Sequence, residues 1–162
     1  MRKLLAIIFP VFIVMHIQAQ KKDSLQNGKH FQFSSVFIGY NVKQQHYFEV
    51  GYLKVKEKGF GHHPFGVVKS ASCEFKFNST VLGPKISVWA YGGSSIAVVG
   101  VNLIDYFDLI GNNSLVFRPE IGLGLYGIKA TYGWNLTLTA KTSIPINENQ
   151  FSVQVPLKIK TK

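Results

Sequence analysis

From Ser34 almost to the last residue, the apolar side chains of this chain recur at every second position, and no segment repeats them at helical spacing. An extended backbone sends successive side chains to opposite faces, so the pattern predicts strands with one apolar and one polar face. The clearest case is "FRPEIGLGLYGIKATYGWNLTLT", residues 117–139. Phe117, Pro119, Ile121, Leu123 and Leu125 share one side; Arg118, Glu120, Gly122 and Gly124 share the other. The phase changes at Leu125-Tyr126-Gly127. Ile128, Ala130, Tyr132, Trp134, Leu136 and Leu138 then oppose Lys129, Thr131, Gly133, Asn135 and Thr137. This is two strands joined by a tight turn.

The same reading applies elsewhere. Val36, Ile38, Tyr40 and Val42 oppose Ser35, Phe37, Gly39 and Asn41; Phe48, Val50 and Tyr52 oppose Glu49 and Gly51. Ala71, Cys73, Phe75 and Phe77 oppose Ser70, Ser72, Glu74 and Lys76; Ile86, Val88 and Ala90 oppose Lys85, Ser87, Trp89 and Tyr91. Further strands are expected over "SSIAVVGVNL" and "FSVQVPLKIK". The total is eight strands of roughly nine to twelve residues. Turn chemistry separates them, including "EKGFGHHPFG" at 57–66, "GGSS" at 92–95 and "DLIGNN" at 108–113. Pro119 and Pro156 each remove a ladder donor, so each is expected at a bulge or a rim.

The N-terminus, "MRKLLAIIFPVFIVMHIQAQKK", has Arg2 and Lys3, an apolar run from Leu4 to about Ile17, and a small residue, Ala19, before a polar stretch. This layout predicts a secretory signal peptide over 1–19, a polar leader over 20–30 and one domain over 31–162. The apolar run is shorter than the roughly 20 residues a membrane-spanning helix needs. Cys73 is the single cysteine, so no internal disulfide forms. Of 18 basic residues, Arg2 and Lys3 leave with the signal, so 16 face the 8 acids and the mature charge is about +8. An exported chain seldom meets nucleic acid, and Arg118 is its one remaining arginine. Membrane lipid, including anionic headgroups, is the more natural partner.

Alternation alone suits both a soluble sandwich and a membrane barrel; the polar faces decide. They are mostly Gly, Ser, Asn and Thr with mixed charges, rather than crowded with lysine and acid. A narrow eight-stranded barrel needs such groups to fill its lumen. The reading therefore places Glu49, Glu74, Lys76, Lys85, Arg118, Glu120 and Lys129 in a charge-paired lumen network. It places Tyr40, Tyr52, Tyr106, Tyr132, Trp134 and Phe151 as interfacial aromatics at the edges of a lipid-facing band.

The runs "LVFRPEIGLGLYGIKATYGWNL", "VLGPKISVWA" and "VNLIDYFD" resemble the small outer-membrane β-barrel proteins, broadly the outer-membrane-protein-A-like eight-stranded class. The likeness spans about Phe33 to Ile159. It implies an all-β, eight-stranded antiparallel up-and-down transmembrane barrel in the outer membrane, monomeric, with a filled interior and a structural or loop-mediated role. The alternative is a soluble periplasmic or secreted barrel or sandwich that binds an apolar ligand, favoured by the basic charge and by the "KIKTK" end, which lacks a terminal aromatic.

No enzyme chemistry is expected. Ser94 and Ser95 lack a GxSxG context, and "GLGLYG" is followed by no helix that could hold a phosphate. His62-His63 reads as a loop pair, and Asp105, Asp108, Asn112 and Asn113 as a solvated turn without calcium-loop spacing. No metal and no cofactor is expected.

Overall fold

The computed structural model describes residues 31–60, 63–77, 79–92, 96–139 and 144–161. The expected signal peptide and polar leader lie outside these residues, as do His62 and the serines of "GGSS". The strands are β1 (Phe31–Val42), β2 (His46–Phe60), β3 (His63–Lys76), β4 (Leu82–Gly92), β5 (Ala97–Phe107), β6 (Asn113–Leu125), β7 (Ile128–Trp134), β8 (Leu136–Thr137) and β9 (Asn149–Thr161). β7 and β8 are one stave interrupted at Asn135. β1 to β6 pair antiparallel in chain order, β6 pairs with both β7 and β8, β7 pairs with β9 and β9 with β1, so eight staves close on themselves. Closure removes the unpaired edges that an open sheet of this length would expose. The fold is all-β, and among the described residues no helix is long and apolar enough to cross a membrane, a finding that leaves strands untouched.

The alternation legible in the sequence becomes the inside and outside of the barrel. Ser35, Phe37 and Asn41 of β1 are buried, while Val36 and Tyr40 are exposed. The connection between β6 and β7 is a two-residue turn: Leu125 pairs with Ile128, and Tyr126 and Gly127 both have positive φ, at 52° and 87°. That is the hairpin geometry whose twist matches the flanking strands.

The strands run longer than the sequence predicts. Most of "EKGFGHHPFG" continues β2 and β3, which pair out to Phe60 and His63. Cross-strand pairing there overrides the local turn preference of glycine. Proline falls where the ladder breaks. Pro156 adjoins the β1–β9 register shift, where Phe37 pairs with Pro156 but Val36 pairs with Lys158. The shift leaves Leu157 as the extra residue of a bulge in β9. Pro119 lies where β6 loses its partner between the β7 pairings, ending at Glu120–Gly133, and the β8 pairings, beginning at Phe117–Leu136. Pro84 lies in a corresponding gap between β4 and β5.

The lumen is filled in three layers. Phe33, Phe37, Leu53, Val55, Val68, Trp89, Tyr91 and Val98 pack at the end that carries both strand termini. Tyr47, Val81, Ile104, Tyr106, Val116 and Ile144 pack at the opposite, loop end. Charged and amide side chains occupy the middle. Glycine makes room for the bulk: a Cβ at Gly66 would collide with the Tyr91 ring, and one at Gly83 would come within 2.6 Å of Tyr106. The apolar contribution to the interior is thus larger than a face of small and charged residues suggests.

Candidate functional site

Six inward charges form the centre of the barrel, and they come from five staves around it, β6 supplying both Arg118 and Glu120. Glu74 of β3 is the hub. Arg118 of β6 donates from Nη1 to Glu74 Oε1 at 2.7 Å and from Nη2 to Oε2 at 3.3 Å. Lys85 of β4 reaches Glu74 at 2.8 Å and Glu49 of β2 at 2.6 Å. Tyr106 of β5 donates its hydroxyl to Glu74, and Arg118 Nη2 donates to the Tyr106 oxygen at 2.6 Å. Farther towards the terminal end, Lys129 of β7 pairs with Glu120 of β6, whose second oxygen accepts from Thr131 at 3.0 Å. The Lys129 ammonium stands 5.4 Å from the centre of the Trp89 ring, a cation–π contact.

Three carboxylates therefore meet three cations, all at most 5% exposed. Such an arrangement is tolerable because each charge is compensated in place; a lone buried charge would be costly. Neutral partners complete the shell. Ser72 donates to Glu49 at 2.7 Å, Asn41 donates to its other oxygen at 3.3 Å, and Arg118 Nε donates to Asn135 at 2.6 Å. Gly133 clears the path for the arginine stem, since a Cβ there would stand 3.0 Å from Arg118 Cγ and Cδ. Asn135 holds this position because the stave breaks at that residue; its N–H turns to Glu148 instead of the ladder.

Glu49, Glu74, Lys85, Arg118, Glu120 and Lys129 are thus brought together as two adjoining clusters. Arg118 and Glu120 are not partners, although they share a face two residues apart. Lys76 stands apart at the loop-end mouth, where Nζ donates to the Pro145 carbonyl at 3.3 Å.

Among the expected interfacial aromatics, Tyr40, Tyr52, Tyr132, Trp134 and Phe151 are exposed on the outer face. Tyr106 is a correction. It is fully buried inside the lumen, because β5 alternation puts it on the same side as Asn102 and Ile104. Parity from Asn102 was the signal that would have found it. Sequence reasoning also missed Glu57, buried at the terminal end and accepting a 2.7 Å hydrogen bond from Tyr91. The inward series Glu49, Gly51, Leu53, Val55 reaches it once β2 is allowed to continue.

A row of buried polar groups flanks the network. Ser70 pairs with Ser87, Ser87 with Asn102, and Asn102 with Arg118 across β3 to β6. The hydroxyls of Ser70 and Ser87 and the Oδ1 of Asn102 find no hydrogen-bond partner among the described residues. Such groups are ordinarily met by internal water.

At the loop end, Asp108 organises the β5–β6 connection. Its Oδ1 accepts from the Ile110 and Asn112 backbone N–H groups at 3.0 and 2.9 Å, and its Oδ2 accepts from the Asn112 side chain at 2.9 Å. The Asn112 side chain, aided by these amides, holds the carboxyl below its ordinary range. Asp105, in β5, is not part of that turn. Among the described residues no group of three or more His, Cys, Asp or Glu is placed to hold a metal ion.

Fold and site together define a class: a closed eight-stranded antiparallel barrel whose interior is plugged by a charge-balanced network. Comparison with family models, with curated proteins and with solved structures found no match for this chain.

Proposed function

We propose that this chain is an exported barrel that spans the outer membrane, acting structurally or through its loops rather than as an enzyme or an open conduit. One observation carries the reading. The outward row Val36, Tyr52, Ala71, Ile86, Leu103, Phe117, Leu136 runs through seven staves in hydrogen-bonded register and is apolar at every position. Ile86 is 61% exposed and Tyr52 53%. Val88, Val99, Val101, Ile121 and Leu123 extend the same surface. A water-soluble monomer rarely leaves such an area uncovered, whereas a transmembrane barrel needs an outward apolar band flanked by aromatics. The polar interior supports the same reading, since a barrel in lipid must place its charges in the lumen. A soluble barrel enclosing an apolar ligand needs these aliphatic faces inward, and the packing favours the opposite orientation.

The test is carbonate and urea washing of membranes that contain the expressed full chain, with cysteine labelling at adjacent positions of β9 in a Cys73→Ser background. Retention in the pellet is expected. A cysteine at Val153 should react with a bilayer-partitioned maleimide, and one at buried Gln154 with neither that reagent nor a water-soluble one. Release of the mature chain as a soluble species refutes the membrane reading.

A further inference from the structure

The outer face is not apolar everywhere. Lys54 of β2 and Lys69 of β3 are directly opposite in register, both exposed, with exposed Lys56 two residues along from Lys54. Two like charges facing each other across an antiparallel pair repel and weaken it. Among the described residues no acid on that face offsets them: the strand glutamates Glu49, Glu57, Glu74 and Glu120 are all buried in the lumen, and Asp105 lies on β5 near the loop end. The row leads into apolar Val88 and Val101 on one side. On the other it passes Ser34 to Lys160, whose backbone is in register with Ser34. Exposed Tyr52 and Phe65 bracket the patch along β2 and β3.

We infer that this patch is a docking surface for the phosphate headgroups of anionic phospholipids in the leaflet on the terminal side of the barrel. The inference rests on the membrane reading and adds a lipid preference and a site to it. Lysines with long apolar stems beside aromatic rings suit the boundary between acyl chains and headgroups, where the stem stays in the apolar layer and the ammonium reaches the phosphate. A phosphate between Lys54 and Lys69 would turn their repulsion into a bridge. The two ends differ in charge accordingly. Around the loop end, exposed Lys43 and half-buried Lys76 stand with Asp105, Asp108 and Glu148, so acids outnumber bases among the described residues there. The terminal end presents Lys54, Lys56 and Lys69 outward.

Native mass spectrometry of the refolded full chain in micelles holding equal phosphatidylglycerol and phosphatidylcholine tests this. Wild type should retain phosphatidylglycerol preferentially, and less so as salt rises. The triple variant K54Q/K56Q/K69Q should lose about two- to five-fold of that preference per lysine, while K54R/K56R/K69R keeps it. Heat-modifiable gel mobility reports that both variants still fold. Equal preference in wild type and the glutamine variant overturns the proposal, as does a patch that retains neither lipid. Carbonate extraction separates the two ideas: a wild type that stays in the membrane without lipid preference refutes the patch alone, and one that is released refutes the membrane reading.

Discussion

Replacing Arg118 with leucine is the most direct way to ask whether the plug holds the barrel together. Arg118 is 1% exposed and Glu74 fully buried. The substitution removes two hydrogen bonds to Glu74, one to Tyr106 and one to Asn135. It also leaves Lys85 as the one cation shared by Glu49 and Glu74. Breaking a buried pair from one side costs on the order of 3–5 kcal/mol, because a charge is left without compensation. Tyr106 and Lys85 still contact Glu74, so the lower part of that range is expected. Adding Glu74→Gln restores neutrality, with Lys85 facing Glu49 alone, and should recover about 1–3 kcal/mol; the remainder is lost hydrogen bonding and packing. Adding Glu120→Gln instead should deepen the loss, since Glu120 belongs with Lys129 and Thr131. The assay is urea unfolding in detergent or lipid vesicles, followed by fluorescence of Trp89 and Trp134, with the double variants read as mutant cycles. An Arg118→Leu protein as stable as wild type, or rescue by Glu120→Gln rather than Glu74→Gln, refutes the charge-network argument.

Lys129→Met should destabilise by about 3–5 kcal/mol through the stranded Glu120 and shift the emission of Trp89, against whose ring the ammonium stands; an unchanged spectrum with unchanged stability contradicts it. Gly66→Ala forces a methyl into the Tyr91 ring and should cost about 1–3 kcal/mol in the same unfolding assay, with Tyr91→Leu added to it relieving part of the clash. Asp108 has a folded-state pKa below its unfolded value of about 3.9. The order it confers on the β5–β6 turn is therefore complete above that value and lost as pH falls through the lower, folded one. An NMR titration of the Asn112 side-chain amide should place the midpoint below 3.9, and a midpoint at or above it sinks the assignment.

The all-β character, the two faces of each strand and the inward direction of Arg118, Glu120 and Lys129 were legible in the sequence, because side-chain direction in a strand depends on parity alone. The Tyr126-Gly127 turn was legible too, as was the need for a ladder break at Pro119 and Pro156, since backbone chemistry acts locally. What parity cannot specify is which strands lie across the lumen from one another. Arg118 and Glu120 share a face, yet Arg118 finds Glu74, 44 positions away in the chain, because barrel closure brings β3 and β6 within reach of each other across the interior. The ends of strands were the other blind spot. Glycine-rich "EKGFGHHPFG" has the composition of a loop, but pairing with a neighbour offsets the entropy glycine loses there. Tyr106 was legible as well: its amphipathic ring suits an interface, but parity with Asn102 and Ile104 sends it into the lumen. Sequence determined which way each side chain points; closure of the sheet decided what it meets.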